Sequence, residues 1–191
     1  MANKASTASD RQNIMAVLTL AFSVDAGVRW VYPDPQQYLE CFAEFTSAFA
    51  GAAFDCGSAY FAEGYTGAAL WLPPGVHPDE QRLEVLFDRT LPSRKAELQK
   101  VFDEMAGYHP SEPHWYLPLI GVDPTYQGKG VGSALLQHAL GECDRDGKQA
   151  YLESTSPQGT ALYERHGFEV LGTIEADGAP MVLWPMLREP R

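Results

Sequence analysis

The 191 residues predict an α/β domain in which helices flank a mixed, mostly antiparallel sheet. Three observations carry that expectation: helical periodicity through the N-terminal quarter, a candidate hairpin after it, and then apolar strand-like segments alternating with amphipathic helices. Hydrophobic residues make up 45% of the chain and charged residues 20%, enough apolar surface for a packed core, and the length suits one domain over residues 1–191.

Ser9 and Asp10 are residues of the N-cap type, and Ile14, Val17, Leu18, Ala21 and Phe22 follow at helical spacing, predicting a helix over about 10–22. Asp34-Pro35 starts a second helix with Tyr38, Phe42, Phe45 and Phe49 as its apolar stripe. The intervening SVDAGVRWVYP is expected to be an irregular, aromatic-rich loop. SAYFAE and AALWL, joined through Gly64-Tyr65-Thr66-Gly67, predict a β-hairpin. Residues 79–106 are helical with a break near Leu91-Pro92, and Leu98, Val101, Phe102 and Met105 form the inward face of the second piece.

HWYLPLIGV is a strand, and GKGVGSALLQHALGECDRDG leads through glycines into a helix that ends at Gly147. A strand (QAYLES), a helix from Gly159 to His166, a strand (FEVLGTIEA), a turn at Asp177-Gly178 and a last strand (PMVLWPML) complete the expected order.

Subtracting 25 acidic from 14 basic residues gives a net charge of −11, a poor match to a phosphate backbone or an anionic membrane, so neither nucleic acid nor membrane is an expected partner. Cys41, Cys56 and Cys143 have no CxxC spacing, and no histidine pair has metal spacing, so a metal is not expected. With no signal-peptide or membrane-spanning pattern, a cytoplasmic protein with reduced thiols is expected.

The most informative stretch is LIGVDPTYQGKGVGSALL, residues 119–136. Gly128, Gly130 and Gly132 allow close backbone approach, and the first N–H groups of the following helix lack intrahelical acceptors, so the segment suits phosphate oxygens, with Lys129 adding positive charge. A P-loop needs Ser or Thr after its lysine, where Gly130 stands. A dinucleotide fingerprint needs Gly or Ala where Ser133 or Leu135 stands, although Glu153 lies at a suitable distance for its acidic residue.

Gln127-Gly128-Lys129-Gly130-Val131-Gly132 matches the Q/R-x-x-G-x-G/A signature of the GNAT superfamily of N-acetyltransferases, and ALYERHGF at 161–168 resembles the family's second motif, A-x-x-x-Y-x-x-x-G-F. The resemblance covers about residues 8–188 and is similar in detail to the antibiotic-modifying, puromycin N-acetyltransferase-like branch. It implies a GNAT fold whose sheet splays at the cofactor strand, with acetyl-CoA as cosubstrate. Ile120, Gly121 and Val122 would hold pantetheine, an N–H near Val122 would polarise the acetyl carbonyl, and Gln127, Gly128, Lys129, Gly130, Val131, Gly132 and Ser133 would hold the pyrophosphate. Ser156 stands where many relatives carry an asparagine that contacts the cofactor. The family opens with a strand, for which MANKAST is a weak candidate.

Tyr163 occupies the position of the family's acid, which protonates the leaving thiolate. A phenol with pKa about 10 can donate to a thiolate of pKa about 8.5. Glu153 and Asp25 are the alternative groups for accepting the amine's proton, directly or through water. Phe22, Asp25, Trp30, Tyr32 and Trp71 fall where the family builds its acceptor pocket. The expected activity is transfer of an acetyl group to a primary amine of a small molecule by direct attack, in a monomer or homodimer; an O-acetyltransferase or a non-catalytic acyl-CoA-binding module are the alternatives. His109 and His114 are each possible bases, more simply solvated loop histidines, and His166 is expected as a cation at a helix C-terminus.

Overall fold

Thr7 accepts from the Asp10 N–H at 3.0 Å, and the Asp10 carboxylate accepts from the Thr7 N–H at 2.9 Å. This capping box starts α1 (Ala8–Phe22), so the cap is Thr7 rather than Ser9 or Asp10, and the acidic residue is its N3 partner. The computed structural model describes residues 2–5, 7–91, 93–175 and 181–191. Ahead of α1, β1 (Ala2–Lys4) does form, pairing antiparallel with β2 (Ala59–Ala62).

The segment expected as an irregular loop contains α2 (Ala26–Val31), capped by Asp25. Six residues are too few for periodicity to register, and the cap was the available signal. Next come α3 (Pro35–Ala50) and α4 (Ala52–Asp55), β2, a 3₁₀ turn at Glu63–Tyr65 and β3 (Gly67–Leu72). The expected helical break separates α5 (Glu80–Thr90) from α6 (Lys95–Tyr108). β4 (Trp115–Val122), α7 (Val131–Asp146), β5 (Ala150–Ser154) and α8 (Pro157–Arg165) follow. FEVLGTIEA yields two short strands, β6 (Glu169–Val170) and β7 (Ile174–Glu175), both against β8 (Val182–Arg188). The turn at Asp177-Gly178 lies outside the described residues.

The strand order is β1-β2-β3-β4-β5-β8-β6, with β7 also on β8; the described pairings are antiparallel except β4 with β5. On one face α1, α3, α5 and α6 bury Ile14, Leu18, Phe42, Phe87 and Leu98 against Leu70, Leu72, Tyr116 and Leu119. On the other, Leu135, Leu136 and Leu140 of α7 cover Tyr60, Trp71 and Leu117. The alternation of strand side chains assigns Tyr151 to the first core and Leu152 to the second.

Pro118 marks an irregularity that matters for the site. Leu70 pairs with Leu119 and Leu72 with Tyr116, so two residues of β4, Leu117 and Pro118, oppose Trp71 of β3. This is a β-bulge, and it places Tyr116 and Leu119 on the same face although they are three residues apart. The missing N–H of proline suits the interrupted ladder.

Candidate active site

β4 and β5 pair only at Trp115–Ala150 and Tyr116–Tyr151 and then separate. Beyond the bulge β4 stays bonded to β3, and the Asp123 N–H donates to the Thr66 carbonyl at 3.0 Å. Because antiparallel residues alternate the direction of their polar groups, Gly121 faces β3 while Ile120 and Val122 direct N–H and C=O into the gap. The Gln127 amide donates to the Val122 carbonyl at 3.3 Å, tying the glycine loop to the end of that edge.

The glycine loop ends at the N-terminus of α7. Gly130 is its cap, at φ 84°, and supplies no side-chain hydrogen bond; the first intrahelical bond runs from the Ala134 N–H to the Gly130 carbonyl. The N–H groups of Val131, Gly132 and Ser133 precede that bond and point out of the helix. Gly128, at φ 72°, and Gly130 would carry a Cβ into open space, so glycine is required there by backbone conformation and leaves room for a ligand. At Gly132 a Cβ would instead lie 3.3 Å from Leu162, so this glycine serves packing between α7 and α8. Lys129 sits 4.9 Å over the Tyr126 ring. Ser133 Oγ is 2.7 Å from His166 Nε2. Burial, with Arg165 and Arg188 nearby, pushes the His166 pKa down, so it is a neutral partner of Ser133 rather than the cation expected at a helix C-terminus.

On the opposite side of the gap lies a cavity enclosing about 800 Å³ of empty space, counting its mouth. Its walls are apolar and aromatic, including Phe22, Phe42, Phe45, Phe102 and Met105, and its polar groups include Asp25, Thr155, Tyr116 and Glu153. Glu153 has a side chain only 5% exposed. The Tyr116 hydroxyl donates to its Oε2 at 2.9 Å, while Oε1 is buried without a hydrogen bond. Burial and the Glu153 charge push the Tyr116 pKa well up, which keeps that donor protonated.

Of the residues expected to form an acceptor pocket, Phe22, Asp25 and Tyr32 line this cavity. Trp30 and Trp71 do not. Trp71 is fully buried on the α7 face of the sheet, where strand alternation puts it, and Trp30 packs under Arg94 at 5.0 Å. Asp25 is more committed than the sequence implied: Oδ1 accepts from the Val28 N–H at 2.9 Å and Oδ2 from the Thr155 hydroxyl at 2.8 Å. The Ser156 hydroxyl caps α8 by accepting from the Gly159 N–H at 3.1 Å. Tyr163 is buried between α8 and the α7-side core, its pKa pushed up by burial and by the charge of Asp25, so its phenol stays protonated at any working pH.

His109 and His114 are not simply solvated: they bond each other, and His109 lies beside Glu153. Sequence reasoning missed Tyr116 and the aromatic wall from α3 and α6, whose apolar periodicity also fits ordinary core. No group of three or more His, Cys, Asp or Glu among the described residues can hold a metal, and no described helix is long and apolar enough to cross a membrane.

Residues 96–170, which include the splayed strand, the glycine loop, Glu153 and Tyr163, match the family model of the acetyltransferase (GNAT) domain. That segment carries a GNAT acetyltransferase domain. It is 27% identical over 215 aligned residues to an uncharacterized N-acetyltransferase of Schizosaccharomyces pombe, covering all of this chain and 84% of that protein. Over a shorter stretch, 32% of this chain and 20% of the relative, it is 38% identical to a mycothiol acetyltransferase of Propionibacterium freudenreichii. A crystal structure described as histone acetyltransferase HPA2 and related acetyltransferase from Corynebacterium glutamicum superposes with TM-score 0.72 at 28% identity, covering 100% of this chain and 96% of that one. The fold alone is shared with arylalkylamine N-acetyltransferase 2 of Aedes aegypti, at TM-score 0.69 and 12% identity, covering 100% and 99% of the two chains.

Proposed function

We propose that this GNAT acetyltransferase uses acetyl-CoA to acetylate a primary amine on a small molecule that has an apolar or ring-bearing body. The observation carrying this reading is the buried Glu153 carboxylate at the wall of an aromatic cavity that opens beside the unpaired edge of β4. An ionised carboxylate removed from water is costly unless a cation or donors compensate it, and Tyr116 supplies only one bond. A cationic amine compensates the rest, and its apolar body fits the aromatic wall.

Acetyl-CoA, when bound, supplies a thioester carbonyl open to attack. The polar groups of Ile120 and Val122 fit an added, strand-like amide chain, and the free N–H groups at the start of α7 fit pyrophosphate oxygens. A backbone N–H near Val122 polarises the carbonyl. Glu153 takes one proton from the ammonium, which frees the lone pair for attack, and Tyr163 donates one to the departing sulfur and recovers it from the second proton that the nitrogen loses as the amide forms. Asp25, held by Val28 and Thr155, adds negative potential at the cavity rim. Acceptor and donor react directly, with no acetylated residue between them.

A panel of amines and alcohols incubated with acetyl-CoA, read by release of free thiol, tests the proposal. Turnover of aryl- or alkyl-substituted amines is expected. Turnover of alcohols alone, or CoA binding without turnover of any acceptor, would overturn it.

A further inference from the structure

A short hydrogen-bonded row leads from Glu153 to the protein surface. The Glu112 carbonyl has no proton to give, so its 2.8 Å contact with His114 Nδ1 makes that nitrogen the donor. Neutral His114 then carries its lone pair on Nε2, 3.0 Å from His109 Nδ1, which must donate in turn. In the neutral ring this leaves His109 Nε2 without a proton, and this nitrogen lies 3.5 Å from Glu153 Oε1. Two lone pairs face each other at that point, and Oε1 accepts no hydrogen bond. The row therefore lacks one proton at its cavity end.

We infer that Glu153, His109 and His114 form a proton outlet, through which the proton lost by the acceptor amine leaves the depth of the cavity for solvent. The inference rests on the proposed function. The bound ammonium gives a proton to Glu153, which frees the lone pair that forms the C–N bond, and the new O–H of Glu153 donates to His109 Nε2. His109 gives its Nδ1 proton to His114 Nε2, and His114 releases its own Nδ1 proton to water at the exposed Glu112 edge. One proton enters and one leaves, and Glu153 is a carboxylate again; the starting tautomers return by exchange with water, each ring taking a proton at Nδ1 and losing the one on Nε2, with no net change in protons. His109 and His114 act through Glu153 and are positioning residues.

The surroundings favour passage over storage. The ionisable groups facing the pair are Glu153, Tyr116, Tyr151 and His77. Burial and the Glu153 charge keep both tyrosines protonated, so neither competes for the proton. Burial pushes the His114 pKa down, with His109 and His77 adding to the effect, so a proton arriving there is readily released.

Nitrogen NMR of the histidine side chains at pH 8, without substrate, should show His109 and His114 protonated at Nδ1 and bare at Nε2. The reverse tautomer at either ring would overturn the outlet. With the best amine from the panel, His109→Gln should lower kcat at least about tenfold. Acceptor KM, CoA affinity and melting temperature should stay unchanged, and added imidazole should partly restore His109→Ala. A loss confined to acceptor KM, or a His109→Gln variant with wild-type kcat and pH profile, would reject the outlet and leave the proposed function standing. If no amine is acetylated, the proposed function fails and the outlet fails with it.

Discussion

The two sides of the gap between β4 and β5 are built from different materials. On the α7 side the ligand-facing groups are backbone: the edge of β4 and the N–H groups at the start of α7, exposed because Gly128 and Gly130 adopt positive φ. On the other side the groups are side chains brought from α1, α2, α3, α6, β4 and β5. A backbone cradle depends on few residue identities and tolerates change around it, so it is suited to a common donor. A cavity of side chains can be re-lined one residue at a time, so its choice of ligand can change while the fold stays the same.

That contrast can be broken at several points. The largest effect is expected at Glu153: Glu153→Gln should reduce kcat/KM for the acceptor by about 10²–10⁴-fold with CoA affinity intact, by steady-state kinetics and calorimetry. Tyr163→Phe should cost about 10²-fold in kcat, again without weakening CoA. If either variant lost CoA binding as well, the two sides would not be separable.

On the backbone side, Gly130→Val forces a branched residue into left-handed conformation at a strain of about 1–3 kcal/mol, so CoA affinity should fall about tenfold or more while acceptor KM in saturating donor changes little. Gly132→Ala, pressed on Leu162, should lower the melting temperature more than it lowers CoA affinity.

Asp25 belongs to both the fold and the cavity, and its variants sharpen the comparison. Asp25→Ala should destabilise the protein by about 1 kcal/mol through loss of the α2 cap. Asp25→Asn can keep the cap and should raise acceptor KM a few-fold without moving the melting temperature.

The smallest effect concerns pH. His166, on the α7 side, and His114, beside the cavity, both have pKa values below the ordinary histidine value. The unfolded chain takes up protons near pH 6.5 while the folded one resists until lower pH, so this stability is present above about pH 6.5 and is lost as pH falls through the folded values. Melting temperatures at pH 5 and 8 should show it, and His166→Asn should reduce the difference.

Much of the backbone side was legible in the sequence because its signals are local. A run from Gln127 to Gly132 and an aromatic motif at Tyr163 specify turn, helix start and buried phenol within a few residues. The acceptor side was legible only in part. Asp25 and Glu153 were visible as carboxylates, but Glu153 becomes a buried group only because Tyr116 is turned toward it and α3 and α6 roof the space. The stripe of Phe42, Phe45 and Phe49 gives the same periodicity whether it faces core or cavity. α2 and β1 are too short for period to declare them, and His109 and His114 acquire meaning only through contacts that spacing does not encode.

The extra residue at Pro118 sets the phase of the whole of β4. Upstream of it β4 is zipped to β5; downstream, the same strand has changed which residues look toward which helix layer and which amides look into the gap. Deleting Pro118 would restore strict alternation, and one half of the strand would have to invert. Either Tyr116 would leave Glu153 for the α7 core, or Leu119 would leave the cavity wall while Ile120 and Val122 turned their amides back toward β3. A loss of one residue at this point would thus exchange donor edge and acceptor wall at once, whereas changes in the length of the surrounding loops leave the strand's two settings intact.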